Sequence, residues 1–338
     1  MPMTTSSFRR PSRRRWMAAV AAAAGLAAAG GAWAQAGASA WPSKPVRLVV
    51  AFPAGGLADV MSRTLAPQLA EALGQPVVID NRGGASGNLA AQELIRTGGD
   101  HHTFMVNVTT LESVNPLLYG TRLGFDPTKE FRHVALLANT QLFLITRPNF
   151  PASNLKEFVA YARSNPGKLS YGSAGNGTTP HIGGELFKQT AGIQATHSPY
   201  RGAAPAIQDV MAGQIDFAFA PGTVFSSVKA GRLKLLAVAS RQRTQNYPEA
   251  LTVDELGFGR VFVDTPFAVY APAGMPDDHV MRMNREINRL LGQAAIKARF
   301  AELGADAQPL SPNEVKALVK AESEVFGPVI KAGGIQVD

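Results

Sequence analysis

The chain is 338 residues long, 46% hydrophobic and 17% charged, with 33 glycines, 23 prolines and no cysteine. These values exclude a largely disordered, collagen-like or low-complexity chain, and the lack of cysteine excludes disulfide scaffolds, thiolate metal sites and cysteine nucleophiles. The net charge of +8 does not mark a nucleic-acid binder: the first 34 residues hold Arg9, Arg10, Arg13, Arg14 and Arg15 and no acid, and the remainder carries 28 basic against 25 acidic residues.

The N-terminus reads as an address. Residues 1–15 are polar and arginine-rich, Trp16–Trp33 is an uncharged run rich in alanine and glycine, and Ala32-Trp33-Ala34 supplies a small-x-small cleavage pattern, with Ala38-Ser39-Ala40 as a second. The run is too weakly hydrophobic for a good membrane anchor, so a cleaved signal peptide over residues 1–34 is expected. Ser12-Arg13-Arg14-Arg15-Trp16 resembles a twin-arginine motif, and an ordinary Sec signal is the alternative.

From Val46 the pattern alternates strands and helices. Val46–Phe52 reads as a buried strand and is broken by Pro53-Ala54-Gly55-Gly56. From Ala58 a helical rhythm runs through Met61, Leu65, Leu69 and Leu73 to a C-capping Gly74. Strands are expected at Pro76–Asn81, Thr103–Val108, within Ala135–Thr146, and at Leu169–Ser173, Thr196–Pro199, Ile215–Ala220, Leu233–Ser240 and Pro266–Ala271. Helices are expected around Leu89–Arg96, Ser153–Ser164, Pro180–Ala191, Ala203–Ala212 and Phe225–Ala230. Three more close the chain at about Asp277–Leu291, Ala294–Leu303 and Ser311–Lys331, the last opened by a Ser311…Glu314 capping box with Pro312 at its first position. The alternation predicts an α/β fold with parallel sheets in two lobes rather than two domains in series.

Two strand-to-helix loops carry the candidate site. The first is Phe52, Pro53, Ala54, Gly55, Gly56, Leu57, Ala58 and Asp59; the second runs from Ser173 through Ala174, Gly175, Asn176, Gly177, Thr178, Thr179 and Pro180 to His181. Glycines let backbone approach a ligand, and helix-start N–H groups attract anions. Together the loops could grip a carboxylate without arginine; the alternative is two tight connections. Nucleotide and nucleophile motifs fail: Gly175-Asn176-Gly177 lacks the third glycine of G-x-G-x-x-G, no P-loop occurs, and Tyr171–Gly175 falls one glycine short of a nucleophile elbow. His101-His102 have no metal-ligand spacing and read as a surface turn; His197 is either cleft-facing or packed; His181 is expected to be neutral at its helix N-terminus. Arg201 could equally pair with a ligand acid or sit solvated.

The stretch Trp41–Asn88, with NPLLYG (Asn115–Gly120), NPGKLSYGSAGNGTTPHIGGELF (Asn165–Phe187), PYRGAAPAIQDVMAGQIDFAF (Pro199–Phe219), KAGRLKLLAVAS (Lys229–Ser240) and APAGMPDDHV (Ala271–Val280), resembles the Bug-type receptors, the extracytoplasmic solute-binding proteins of tripartite tricarboxylate transporters. The resemblance covers nearly the whole chain after the signal. It implies a type II-like periplasmic-binding-protein fold: two α/β lobes, Trp41–Gln141 plus Thr265–Asp338 and Leu142–Asp264, with a ligand cleft between them. It implies a non-enzymatic, periplasmic and monomeric receptor that needs no cofactor or metal. Its partners would be a small carboxylate ligand and the membrane permease, or alternatively a sensor-kinase ectodomain, and not nucleic acid. The two loops would form a pincer on the ligand carboxylate.

The chain departs from the usual pattern in places. Ala54 stands in a Pro-Pro-Gly-Gly segment. Thr109 lies in a bulkier Asn107–Glu112 loop. Ala220-Pro221-Gly222 stands where an aspartate is common, which argues against an amino-acid ligand. The last two changes are expected near the cleft.

Overall fold

The computed structural model describes residues 41–244, 246–333 and 335. The expected signal peptide therefore lies outside the described residues, and of the N-terminal unit, residues 1–43, only 41–43 are described. The second unit, from Lys44 on, contains two sheets.

The first sheet uses β1 (Val46–Val50), β2 (Val77–Asn81), β3 (Thr103–Val108), β4 (Phe131–Thr140), β10 (Thr265–Pro272) and β11 (Ala305–Ala307), in the order β11-β4-β10-β3-β1-β2. The second uses β5 (Phe143–Thr146), β6 (Leu169–Ser173), β7 (Ala195–Pro199), β8 (Phe217–Ala220) and β9 (Lys234–Val238), in the order β7-β6-β8-β5-β9. The chain crosses from the first sheet to the second through Gln141 and Leu142, and returns between β9 and β10.

The helices are α1 (Leu57–Leu73), α2 (Asn88–Arg96), α3 (Thr110–Ser113), α4 (Asn115–Tyr119), α5 (Pro127–Glu130), α6 (Leu155–Ser164), α7 (Thr179–Ala191), α8 (Ala203–Ala212), α9 (Phe225–Lys229), α10 (Asp277–Leu291), α11 (Ala294–Ala301) and α12 (Pro312–Gly333). The local chemistry follows the sequence. Leu57, Met61, Leu65, Leu69 and Leu73 bury one stripe of α1, and Gly74 ends it in the left-handed region at φ 73°. Ser311 and Glu314 form the capping box of α12, with Glu314 Oε2 accepting from the Ser311 N–H at 2.7 Å.

The expectation of parallel sheets is corrected to mixed sheets. β1 is parallel to β2 and β3, and β6 to β7 and β8. But β10 runs antiparallel to β3 and β4, β11 to β4, and β5 to β8 and β9. Of these, β5 and β10 each follow a crossing between the sheets, not a helical crossover within one sheet.

The parallel parts put the C-terminal ends of β1, β6 and β7 at helix starts α1, α7 and α8, which is where open α/β sheets bind ligands. The C-terminal helix joins the two cores. Val315 packs in the apolar cluster against the first sheet, while Phe326 and Ile330 pack with Phe158, Phe187 and Phe217 of the second.

Candidate functional site

The loop after β1 is built around a buried acid. Asp59, in the first turn of α1, accepts from the Gly55 N–H at 2.9 Å, from Asn81 Nδ2 at 3.0 Å and from Arg63 Nε at 2.9 Å. Asn81 also donates to the Phe52 carbonyl at 3.0 Å. Burial works against ionisation of Asp59, but the bonds from Arg63, Gly55 and Asn81 overcome it and hold the carboxyl below its ordinary range. Gly55 takes φ +78°, a conformation that L side chains rarely adopt.

The loop after β6 is braced by imidazoles. Ser173 Oγ and His197 Nε2 are 2.7 Å apart, and Ser173 Oγ accepts from the Gly175 N–H at 3.1 Å. The Gly177 N–H donates to His181 Nδ1 at 3.0 Å, which leaves the proton of neutral His181 on Nε2. The rings of His181 and His197 stack, and His197 stacks on Tyr171. Burial pushes His181 down to about 4 and His197 down to about 3, with each also feeling nearby Lys188. His181 is therefore neutral as expected, with burial as its largest cause rather than the helix terminus.

Three helix starts converge on one cavity. α1, α7 and α8 begin at Gly56, Thr178 and Gly202, and none of the three has a side-chain cap. Leu57 and Ala58 of α1, Thr179 and Pro180 of α7, and Ala203 and Ala204 of α8 all line the same space of about 650 Å³, part of it open to solvent. Uncapped first-turn N–H groups and the positive ends of helix dipoles favour an anion there. The hydroxyl of Thr179 adds a donor: it accepts from Thr265 Oγ1 at 2.6 Å and keeps its own proton.

Of the residues named from sequence, Phe52, Pro53, Gly55, Gly56, Ala174, Thr178 and Thr179 line this cavity. Gly175 lines an adjoining one with Ser86, Tyr119, Asn176 and Arg201. Ala54, Asp59, Thr109, Ser173, Gly177, His181 and Ala220 line neither cavity. Asp59, Ser173 and His181 instead hold the two loops in shape, and Thr109 and Ala220 are buried.

Sequence reasoning placed the helix at Ala203–Ala212 but did not name its start as part of the site, nor the walls Val108, Thr140, Leu142, Thr223, Thr265 and Phe267. Gly202 gave a signal of the same kind as the named loops, a glycine between strand and helix. The wall residues lie in or beside apolar strands and gave none.

Some expectations are corrected. Glu112 points away from the cleft and pairs with His133 Nε2 at 2.8 Å, because the helical turn after β3 directs it under β4. Pro221 does reach the cleft. His102 is buried, not on a surface turn: its backbone N–H is held by Asp100 at 2.7 Å. His197 is packed. The glycines of the second loop face protein rather than open space: a Cβ on Gly177 would overlap Leu118 Cδ1, and one on Gly175 would stand 3.3 Å from Ser86 Oγ. Among the described residues no group of three or more His, Asp or Glu could hold a metal ion, and no helix is long and apolar enough to cross a membrane.

The chain is 33% identical over 300 residues to a UPF0065 protein in the gbd 5' region of Cupriavidus necator, covering 89% of each chain. Rpa4515 of R. palustris, solved with adipate, superposes with a TM-score of 0.84 at 32% identity, over 88% of this chain and 99% of that one. MatC (Rpa3494) of Rhodopseudomonas palustris, solved with bound malate, superposes with a TM-score of 0.80 at 29% identity, over 86% of this chain and all of that one. Residues 61–335 match the family described as tripartite tricarboxylate transporter family receptor. The chain belongs to that family of solute-binding receptors, which are not enzymes.

Proposed function

We propose that this receptor captures a small carboxylate-containing metabolite in the cleft, outside the cytoplasmic membrane, and delivers it to the permease of a tripartite tricarboxylate transporter. The observation that carries the reading is the convergence of three uncapped helix starts, α1, α7 and α8, on one cavity. Backbone N–H groups and the Thr179 hydroxyl neutralise the carboxylate without a fixed cation, so binding needs no buried arginine. The acids bound by Rpa4515 and MatC fit this chemistry. The arginine-rich N-terminus supports export to the periplasm.

Thermal unfolding against mono-, di- and tricarboxylates, aromatic acids and amino acids tests the reading. A ligand at ~100 times its Kd adds ~2.7 kcal/mol. A saturable upward shift with a carboxylate is expected, and no shift with any acid, from protein shown by mass spectrometry to be ligand-free, contradicts it. A second use of the same cleft, as a sensor feeding a kinase ectodomain, predicts that deletion abolishes induction and leaves uptake intact; loss of uptake supports delivery.

A further inference from the structure

The adjoining cavity has a chemistry of its own. It holds about 560 Å³, part of it open to solvent, and shares Phe52 and Ala174 with the cavity of the helix starts. No Asp or Glu lines it, and its one charged side chain is Arg201. Arg201 is exposed, lies between β7 and α8, and has no hydrogen-bond or ion-pair partner among the described residues. Arg63 and Arg82 differ: the first is tied to Asp59 and the second to Asp80. The acid on α8, Asp209, accepts instead from the Tyr200 hydroxyl at 2.6 Å.

The segment after β2 supplies backbone donors to the same space. Gly84, Ala85, Ser86 and Gly87 line it, at φ +133°, +47°, +55° and +86°. Ala85 and Ser86 thus hold a left-handed conformation that L residues rarely adopt. The Gly87 N–H closes this turn on the Gly84 carbonyl at 3.0 Å, and the N–H groups of Ala85 and Ser86 are left without a partner. The Ala174 N–H and the Asn176 side-chain amide, on the segment after β6, are likewise unpartnered. Successive free N–H groups in a turn make a concavity that favours an anion. The Ser86 hydroxyl donates to the Asn176 carbonyl, so the donors of the two segments are brought together across the cavity.

We infer that this cavity is a second anion subsite, in which Arg201 and the N–H groups of the Ala85-Ser86 turn hold an oxyanion group. An unpaired guanidinium facing free backbone donors forms charge-assisted hydrogen bonds to a carboxylate or a phosphate. The inference rests on the carboxylate reading above and extends it along the cleft. The anion is the second acid group of the same ligand or a separate oxyanion.

Two measurements tell these sources apart. Calorimetry with the diacids from succinate to pimelate, each against the monoacid of the same chain length, tests the first. One diacid is expected to bind at least tenfold more tightly than its monoacid, with Arg201→Gln lowering that ratio at least tenfold and Arg201→Lys keeping part of it. Thermal unfolding in sodium phosphate against sodium chloride at equal ionic strength tests the second. Phosphate then raises Tm saturably in the unaltered chain and not in Arg201→Gln, whose fold circular dichroism confirms. Either result supports the subsite and names its source. No diacid preference and no phosphate shift, with monoacids still binding, overturns the inference alone. A preference or a shift that survives Arg201→Gln also overturns it, because the anion then sits elsewhere. Failure of every carboxylate contradicts the carboxylate reading, and the phosphate measurement still decides the subsite.

Discussion

The imidazole rings of His181 and His197 lie face to face, 3.9 Å between centroids and 5° from parallel. His181 is buried and His197 half-buried, and loss of solvation lowers them to about 4 and about 3 and keeps both neutral. In the unfolded chain each takes up a proton near pH 6.5. Between that value and the lowered ones the unfolded state binds more protons, so the pair makes stability fall as pH drops below about 6.5. His197→Phe keeps the ring stack and removes one titrating group. It is expected to flatten the acid limb of Tm against pH between 4 and 6.5 by several degrees, and an unchanged limb contradicts the assignment.

Glu322 has the opposite sign. Its carboxyl accepts from Ser113 Oγ at 2.7 Å beside Glu112, and burial followed by that neighbouring charge pushes it up to about 7. The folded state then holds the proton in a range where the unfolded state has lost it, so stability falls as pH rises from about 4.5 through 7. Glu322→Gln is expected to gain about 1–3 kcal/mol at pH 8 and little at pH 5, read by urea unfolding at both values. Equal effects at the two pH values count against it.

Asp59 touches no cavity, yet it ties Gly55 to Asn81 and Arg63. Asp59→Ala releases the first loop. Ligand affinity is expected to fall by about tenfold or more, with a stability loss of about 1–3 kcal/mol from the unpaired donors. Affinity that survives in a folded variant shows that the loop does not need this brace.

Gly202 meets Pro53 across the cleft, at φ +127°. A side chain there strains the start of α8 and holds the two loops apart. Gly202→Val is expected to weaken ligand binding at least tenfold and to raise the radius of gyration seen by X-ray scattering, with far-ultraviolet circular dichroism unchanged. Ser86, whose hydroxyl donates to the Asn176 carbonyl, joins a different pair of segments, the one after β2 and the one after β6.

Much of this was legible in the sequence because the loops announce themselves. Pro53-Ala54-Gly55-Gly56 interrupts an apolar strand, and Gly175-Asn176-Gly177 another, so two of the three helix starts stand out as ligand loops from turn chemistry alone, while the third, at Ala203, reads only as a helix. The capping box at Ser311 and the leucine rhythm of α1 were equally local. Strand direction was not local. Nothing in the run Thr265–Pro272 says that it inserts antiparallel between β3 and β4, because partners in a sheet are chosen by the whole packing. The cavity wall at Thr140 and Thr265 was hidden for the same reason: the two become neighbours only when β4 and β10 pair, with the Thr140↔Thr265 register. The roles of Ser173 and His181 are ambiguous in sequence because a hydroxyl or imidazole in a glycine loop can serve the ligand or the loop. Here Ser173 meets His197, and His181 meets Gly177.

If the three helix starts bind a carboxylate by its charge, removing that charge from the ligand must cost affinity. Calorimetric titration of the tightest acid found in the screen, alongside its uncharged primary amide, tests this most directly. The acid is expected to bind at least a hundredfold more tightly than the amide. An amide that binds as well as its acid would contradict it.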